Sequence, residues 1–289
     1  MLSESIIRTT LDQCLGFFGY DSMQQITNRT QMDVFKGSSK YYKYRPQYPK
    51  EVIDLIVANL PDKKGDLLDI GAGPGTLAIP LSHYFNRVVA VEPSREMIDE
   101  GKILATERKA ENIDWLCANG EDLSDTIGEF QAVTFGNSLH WMDYKRMLEF
   151  AYTILAPGGC VGITGVSTIW QNTPEVWQQK TIEIIKKYLG EERRTSSGSF
   201  PSVKTKDYPK ILEEIGFENV RYEHLKFPKI KVASSEIAQE QHSYSYAAPE
   251  LFGNNLKNFD DELKEELLKI NPNDEFFEER TGTVITGQK

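Results

Sequence analysis

The chain has 289 residues, of which 39% are hydrophobic and 26% are charged, and it carries a net charge of −10. This composition excludes disorder along the whole length, and the acidity disfavours phosphate backbones and anionic lipids as partners. No apolar stretch approaches the roughly 20 residues that span a bilayer, and the N-terminus lacks a basic start followed by an apolar run. We therefore expect a cytoplasmic protein that binds neither membranes nor nucleic acids.

The three cysteines, Cys14, Cys117 and Cys160, lie far apart and form no Cys-x-x-Cys pair. An odd number of isolated cysteines disfavours a disulfide framework, and the four histidines form no cluster with them. The sequence therefore predicts neither a disulfide scaffold nor a metal site.

The first segments in chain order are an arm, an irregular stretch and a helix. Residues 1–34 lack firm periodicity and are predicted to form an N-terminal arm, followed by a single domain at 35–289. The stretch FKGSSKYYKYRPQYP (35–49) is aromatic and basic, and its two prolines favour extended backbone. In KEVIDLIVANL (50–60) the apolar residues fall on one helical face, which predicts an amphipathic helix.

From residue 66 onwards, short apolar runs alternate with longer amphipathic ones. This alternation predicts an α/β protein whose mostly parallel sheet is covered by helices on both faces. Two stretches, at about 167–204 and 228–276, break the rhythm and are predicted to be insertions. The seven predicted strands lie in residues 66–70, 87–91, 113–118, 130–137, 159–166, 218–227 and 281–289.

A glycine-rich turn joins the first of these strands to a helix. Gly71, Gly73 and Gly75 therefore fall at the carboxyl edge of the sheet, where open α/β sheets bind ligands. The next strand ends in Glu92, which is placed to accept hydrogen bonds from a ribose diol. Together these features indicate a nucleoside-containing ligand; the alternative is a tight turn beside a solvated glutamate.

The glycine spacing separates two classes of nucleoside ligand. In a dinucleotide-binding turn the third glycine would stand at Thr76, and Asp69 would face an incoming pyrophosphate unfavourably. A carboxylate at this position favours a cationic ligand, and S-adenosylmethionine carries both an ammonium and a sulfonium group. A nicotinamide-dependent oxidoreductase is therefore the less favoured reading.

Five segments in order resemble the motifs of one family. The sequence LLDIGAGPGTLAIPL (67–81) resembles its first motif, and VVAVEPSREMI (88–98) its second-strand acid motif. NIDWLCANGEDL (112–123), FGNSLHWMD (135–143) and LAPGG (155–159) resemble the later motifs. The family is the class I S-adenosylmethionine-dependent methyltransferases of type 11, and the stretch 35–49 is similar to small-molecule members that resemble trans-aconitate methyltransferase. The resemblance implies a Rossmann-like seven-stranded sheet with a substrate cap formed by the insertions.

The resemblance also implies which residues bind the cofactor. The methionine part would lie against the turn, with Asp69 near its ammonium group, and Glu92 would bind the ribose hydroxyls. Asn119 and Gly120 stand where relatives contact adenine with an aspartate and a small residue. The cofactor set implied in this way is Tyr42, Asp69, Gly71, Ala72, Gly73, Glu92, Asn119, Gly120 and Asn137.

Four further side chains are candidates for contact with a methyl acceptor. His140 and Trp141 follow the fourth strand at the same edge of the sheet, and His140 would be a general base if the acceptor needs one. Arg45 would meet an anionic acceptor, and Tyr244 falls in the insertion that caps the acceptor pocket in similar proteins. Packing is the alternative role for each of these residues.

These observations predict an S-adenosylmethionine-dependent enzyme that transfers a methyl group to a small molecule by in-line displacement, without a metal. Two alternatives remain open on the same fold: a methyltransferase that modifies protein or RNA, and a catalytically silent cofactor-binding protein. The acceptor and the oligomeric state are not specified by the sequence.

Overall fold

The computed structural model describes residues 34–60, 65–170, 174–192 and 206–289. Residues 35–289 form one compact unit. The predicted N-terminal arm lies outside the described residues except for Val34, and so does the polar part of the first insertion, at 193–204.

A seven-stranded sheet organises this unit, as the sequence predicts. The strands are β1 (Asp66–Ile70), β2 (Arg87–Val91), β3 (Ile113–Leu116), β4 (Phe130–Gly136), β5 (Leu155–Val166), β6 (Glu218–Lys226), β7 (Ile230–Val232), β8 (Phe276–Glu278) and β9 (Thr281–Gln288). The strand order in the sheet is β3-β2-β1-β4-β5-β9-β6; β9 is antiparallel to both of its neighbours, and the adjacent strands from β3 to β5 are parallel. The separate pair β7 and β8 is antiparallel.

Helices connect and cover the strands in the order that the apolar periodicity predicts. Several begin at polar caps: the Asp143 side chain accepts a hydrogen bond from the Arg146 amide (3.3 Å), and Asp207 accepts one from the Lys210 amide (3.2 Å). The α-helices are α1 (Lys50–Val57), α2 (Ala78–Leu81), α3 (Arg95–Glu107), α4 (Tyr144–Ile154), α5 (Val176–Leu189), α6 (Tyr208–Ile215), α7 (Ser234–Gln241), α8 (Pro249–Phe252) and α9 (Leu256–Ile270).

The central strands β1, β2 and β4 are buried on both faces of the sheet. Successive residues of a strand point to opposite faces, so they enter two different cores. Leu68 belongs to one core, with Val133 and Leu148 of α4, whereas Leu67 belongs to the other core, with Ile56 of α1. Strands that are apolar at nearly every position are therefore required here, which explains the continuous apolar runs of β1, β2 and β4.

A third core lies outside the sheet and joins the two insertions. Trp177 and Ile184 of α5 come from the first insertion, and Phe259 and Leu263 of α9 come from the second. The second insertion is helical for most of its length, but β7 and β8 lie at its two ends. We call this body, residues 174–192 and 228–278, the cap.

In the described part of the chain, no helix combines the length and apolar character that a bilayer span requires.

Candidate functional site

The glycine turn (residues 71–75) folds back onto the end of β2. The amides of Gly71 and Ala72 both donate to the Val91 carbonyl, at 2.9 and 3.0 Å. Gly71 and Gly73 have φ values of +70° and +57°, a region that disfavours side chains. A Cβ on Gly71 would lie 2.5 Å from Ser138 Cβ, whereas a Cβ on Gly73 would find only the Tyr42 ring, at 3.7 Å. The backbone at Gly73 is therefore the open part of the turn.

Asp69, at the end of β1, is a buried carboxylate with one unused oxygen. Thr134 Oγ1 donates to Asp69 Oδ1 at 2.8 Å, while Oδ2 has no hydrogen-bond partner among the described residues. Burial, assisted by the nearby Glu92 charge, raises the pKa of Asp69 to about 7 against the opposing hydrogen bonds of Thr134 and the Ala78 backbone. A cation placed beside Oδ2 would satisfy this oxygen and hold the group ionised.

Glu92 follows β2 and is oriented by backbone amides. Gly73 N–H donates to Oε2 at 2.9 Å, and Ser94 N–H donates to Oε1 at 3.0 Å. The side chain is nearly buried and lies directly against the glycine turn. Two backbone amides thus fix the orientation of the carboxylate, which preorganises it as an acceptor for the hydroxyl groups of a diol.

The predicted adenine-contact residues follow β3. Asn119 precedes a 3-10 turn at Gly120–Asp122, and its Nδ2 donates to Asp122 Oδ2 at 2.8 Å, which leaves the amide oxygen as an acceptor. A Cβ on Gly120 would lie 2.7 Å from Ile70 Cγ2, so this glycine lets the segment pack closely on β1.

Asn137, just after β4, holds strand ends together through its side chain. Its φ is +52°; Oδ1 accepts from the Val166 amide at 3.0 Å, and Nδ2 donates to Tyr48 Oη at 3.1 Å. Both polar ends of the side chain are thus committed within the protein. Burial raises the pKa of Tyr48 to about 12, so its hydroxyl stays neutral. Tyr48 is absent from the predicted site, and only its place in the aromatic segment before Pro49 marks it in the sequence.

Arg45 lies between the rings of two tyrosines. Its Cζ is 4.1 Å from the Tyr42 ring centroid and 4.3 Å from the Tyr244 ring centroid. Arg45 Nε donates to Ser243 Oγ at 2.9 Å, and Nη2 donates to the Ser243 carbonyl. Tyr42 in turn faces Gly73. The guanidinium that the sequence assigns to an anionic acceptor is therefore engaged in joining the segment before α1 to the cap.

Tyr244 belongs to a buried ionic cluster (Glu240, Tyr244, Glu278 and Arg280). Its hydroxyl donates to Glu240 Oε1 at 2.6 Å and accepts from Arg280 Nη1 at 2.7 Å. Arg280 Nη2 donates to both Glu240 and Glu278. The predicted site lacks Glu240, Glu278 and Arg280, because 40 positions separate Glu240 from Arg280 and no periodic pattern joins them.

His140 and Trp141 lie in a 3-10 turn after β4, at the edge that carries the glycine turn. Trp141 packs edge-on against Phe35, with 5.5 Å between ring centroids. His140 is accessible to solvent, yet its protein surroundings lower its pKa to about 4 by desolvation, helped by the charges of Lys206 and Arg45. Its imidazole is neutral at pH 7, and a pKa this low makes it a weak acceptor of protons.

The carboxyl ends of β1, β2 and β4 thus bring three kinds of group together. Asp69 offers an unused carboxylate oxygen, Glu92 offers an oriented carboxylate, and Gly73 leaves room against the backbone. These two carboxylate acceptors and the open backbone fit a ligand that carries both a cation and a diol. Among the described residues, no group of three or more His, Cys, Asp or Glu side chains is arranged to hold a metal ion.

Comparisons with known proteins agree with this geometry. A methyltransferase domain family matches residues 67–159. A Dictyostelium discoideum protein named as a methyltransferase is 27% identical over 243 residues, which cover 82% of this chain and 86% of that protein. The Leishmania donovani mitochondrial 2-methoxy-6-polyprenyl-1,4-benzoquinol methylase is 25% identical over 62% of this chain and 69% of its own length. A solved type II methyltransferase structure from Anaeromyxobacter dehalogenans shares the fold, with a TM-score of 0.53 and 16% identity over 84% of this chain and 97% of that one.

Proposed function

The chain is a class I S-adenosylmethionine-dependent methyltransferase, and from this premise we propose that its methyl acceptor is a small molecule held beneath the cap. Bound S-adenosylmethionine supplies a methyl group that its sulfonium already activates. The protein's own task is to bind the two reactants, align them and exclude water.

The cofactor residues are assigned from the carboxylate groups and the glycine turn at the carboxyl edge of the sheet. We propose that Asp69 Oδ2 receives the cofactor's ammonium group and that Glu92 accepts hydrogen bonds from its ribose hydroxyls. The unused oxygen of Asp69 and the amide-oriented carboxylate of Glu92 support these two roles. The open backbone at Gly73, with Gly71 and Ala72 beside it, would then pack on the methionine part.

The remaining cofactor contacts are proposed at the turn's borders. Asn119 and Gly120 would bind adenine, with the free amide oxygen of Asn119 accepting from the exocyclic amine. Tyr42 would lie over the cofactor, since its ring faces Gly73. For Asn137 we propose a backbone contact, because Tyr48 and Val166 occupy its side chain.

The observation that carries the small-molecule proposal is the attachment of the cap to the cofactor side of the protein. Arg45 is stacked between Tyr42, which faces Gly73, and Tyr244 of the cap. A fixed cap above this edge favours an enclosed acceptor over a broad macromolecular surface. The net charge of −10 further disfavours RNA, and the Leishmania relative is named for a benzoquinol substrate.

The proposed roles of the acceptor-side residues follow from their surroundings. Trp141 would form a wall that excludes water, and Tyr244 and Arg45 would hold the cap in place. His140, with its lowered pKa, would line the pocket rather than remove a proton. An acceptor atom that carries no proton at pH 7, whether it is charged or neutral, needs no stronger base.

The proposal is tested by following labelled methyl groups from S-adenosylmethionine into an extract separated by ultrafiltration into small-molecule and macromolecular fractions. We expect label only in the small-molecule fraction, and no label there with the Glu92→Ala variant. Label in the macromolecular fraction would instead favour a protein or RNA acceptor. Binding of S-adenosylhomocysteine without label in either fraction would favour a catalytically silent protein.

A further inference from the structure

A cavity of about 320 Å³ lies between the segment before α1 and the start of the cap. Its volume is at the lower end of the range for pockets that hold small organic molecules. The walls are mostly apolar and aromatic, and one end is ionic. The lining residues are Pro46, Gln47, Tyr48, Pro49, Phe227, Pro228, Ile230, Glu278 and Arg280.

Glu278, at the ionic end, is a buried carboxylate with an unsatisfied oxygen. Its side chain is 3% exposed; Oε1 accepts from Arg280 Nη2 at 2.7 Å, and Oε2 has no hydrogen-bond partner among the described residues. Arg280 Nε also lacks a partner among the described residues, so the cluster contains one orphaned acceptor and one orphaned donor, and the choice of ligand depends on the balance of charge.

The charges around this end do not balance. Glu240 and Glu278 share the single guanidinium of Arg280, which leaves a surplus of one negative charge when both carboxylates are ionised. Burial raises the pKa of Glu278 to about 7, as expected for a carboxylate with too little positive charge beside it. The positive charge of Arg45 is directed to Ser243 and the two tyrosine rings.

The nearby lysines are directed elsewhere. Lys229 Nζ lies 5.3 Å from the Phe277 ring centroid, Lys226 pairs with Glu279 at 3.8 Å, and Lys231 pairs with Glu275 at 2.8 Å. The cavity walls meanwhile contribute the rings of Tyr48 and Phe227, and aromatic rings attract cations through their faces. An apolar body with one positive charge matches both parts of the cavity.

We propose that this cavity is a binding site for a small organic ammonium ion, with its positive charge beside the Glu278 carboxylate and its hydrocarbon or aromatic body against Tyr48, Phe227 and Ile230. Both walls are anchored: Tyr48 accepts a hydrogen bond from Asn137, and the Phe227 amide donates to the Arg280 carbonyl at 2.8 Å. The site is defined by its own residues and does not require the cavity to hold the methyl acceptor.

The test compares benzylamine, benzyl alcohol and phenylacetate as cationic, neutral and anionic probes of similar size. Their binding to the full-length protein is measured by ligand-observed NMR at pH 7.5 without cofactor, so the outcome does not depend on the proposed methyl transfer. We expect benzylamine to bind at least tenfold more tightly than benzyl alcohol and phenylacetate not to bind.

Two variants with one matched control test the location. Glu278→Gln keeps the side-chain shape and should remove the preference for benzylamine over benzyl alcohol. Ile230→Trp narrows the cavity at a residue that is 37% exposed, and should abolish binding of both probes without unfolding the protein. Ile103→Trp, at a 56% exposed position on α3, should bind benzylamine like the wild type.

Three results would overturn the proposal. The first is equal binding of benzylamine and benzyl alcohol by the wild type, and the second is benzylamine binding that survives Ile230→Trp. The third is the absence of benzylamine binding by the wild type up to millimolar concentrations. Thermal unfolding of each variant shows whether a loss of binding reflects a loss of folding.

Discussion

The glycine turn with its two acids and the buried ionic cluster both depend on carboxylates, but they stabilise them in different ways. In the first region, Glu92 is held by the backbone amides of Gly73 and Ser94, which any sequence with the same turn would supply. In the second, Glu240 and Glu278 both pair with Arg280, and Glu240 also accepts from the Tyr244 hydroxyl. The first region therefore combines backbone amides with the Thr134 hydroxyl, whereas the second is held by side chains.

The strongest way to separate the two regions is to remove Arg280. In Arg280→Met, two buried carboxylates lose the guanidinium that both contact, and we expect a loss of about 3 to 5 kcal/mol in the free energy of unfolding. Urea denaturation measures this loss. The triple variant Arg280→Met, Glu240→Gln and Glu278→Gln should recover most of it, and a triple variant as unstable as the single one would contradict the charge argument.

Within the glycine turn, two of the three positive-φ glycines, Gly71 and Gly73, should respond differently to alanine. Gly71→Ala combines an unfavourable φ with a Cβ placed 2.5 Å from Ser138, and should lower stability by about 3 kcal/mol. Gly73→Ala has the same kind of φ but open space, and should lower stability by about 1 kcal/mol. Thermal unfolding compares them, and equal losses would show that the contact with Ser138 relaxes.

Asp69 should make cofactor affinity depend on pH near neutrality. Because its pKa is about 7, the ionised fraction rises about tenfold between pH 6 and pH 8, and affinity for S-adenosylhomocysteine should rise similarly. Calorimetric titration at several pH values measures this rise. Asp69→Asn is the control, since it should bind weakly with no comparable increase.

The same raised pKa has the opposite effect on stability without ligand. The folded protein favours protonated Asp69. The contribution of Asp69 to the free energy of unfolding is therefore full below about pH 4 and is lost as the pH rises through about 7. Asp69→Asn should lack this part of the pH dependence. An unchanged pH profile of unfolding in the variant would contradict the assignment.

The smallest effect is expected at His140. With a pKa of about 4 the imidazole is unprotonated throughout the neutral range, so His140→Ala should leave the shape of the pH–turnover profile unchanged. Turnover with the identified acceptor between about pH 6 and 9 provides the measurement. A loss of turnover in His140→Ala that grows as the pH rises through neutrality would restore the general-base role.

The contrast between the two regions also explains what the sequence could predict. Asp69, Gly73 and Glu92 were predicted because strand, turn and helix follow one another within 24 residues, and the parallel sheet brings their ends together. Strands β1, β2, β4 and β5 were predicted for a similar reason, since each contains a local apolar run.

The cap could not be predicted in this way. Arg45 meets Ser243, which lies 198 positions further along the chain, and neither composition nor periodicity encodes such a pair. The guanidinium of Arg45, a candidate for contact with an anionic acceptor, stacks between two tyrosine rings and donates to a carbonyl oxygen. Long-range side-chain contacts of this kind require the folded chain.

The most direct test of the account is calorimetric titration of S-adenosylhomocysteine into the wild type, Glu92→Gln and Ile230→Trp. Loss of a charged acceptor for the ribose hydroxyls should weaken binding about 10- to 100-fold in Glu92→Gln, whereas the cap variant should bind like the wild type. Full-strength binding by Glu92→Gln would contradict the assignment of the cofactor site to the carboxyl edge of β1 and β2.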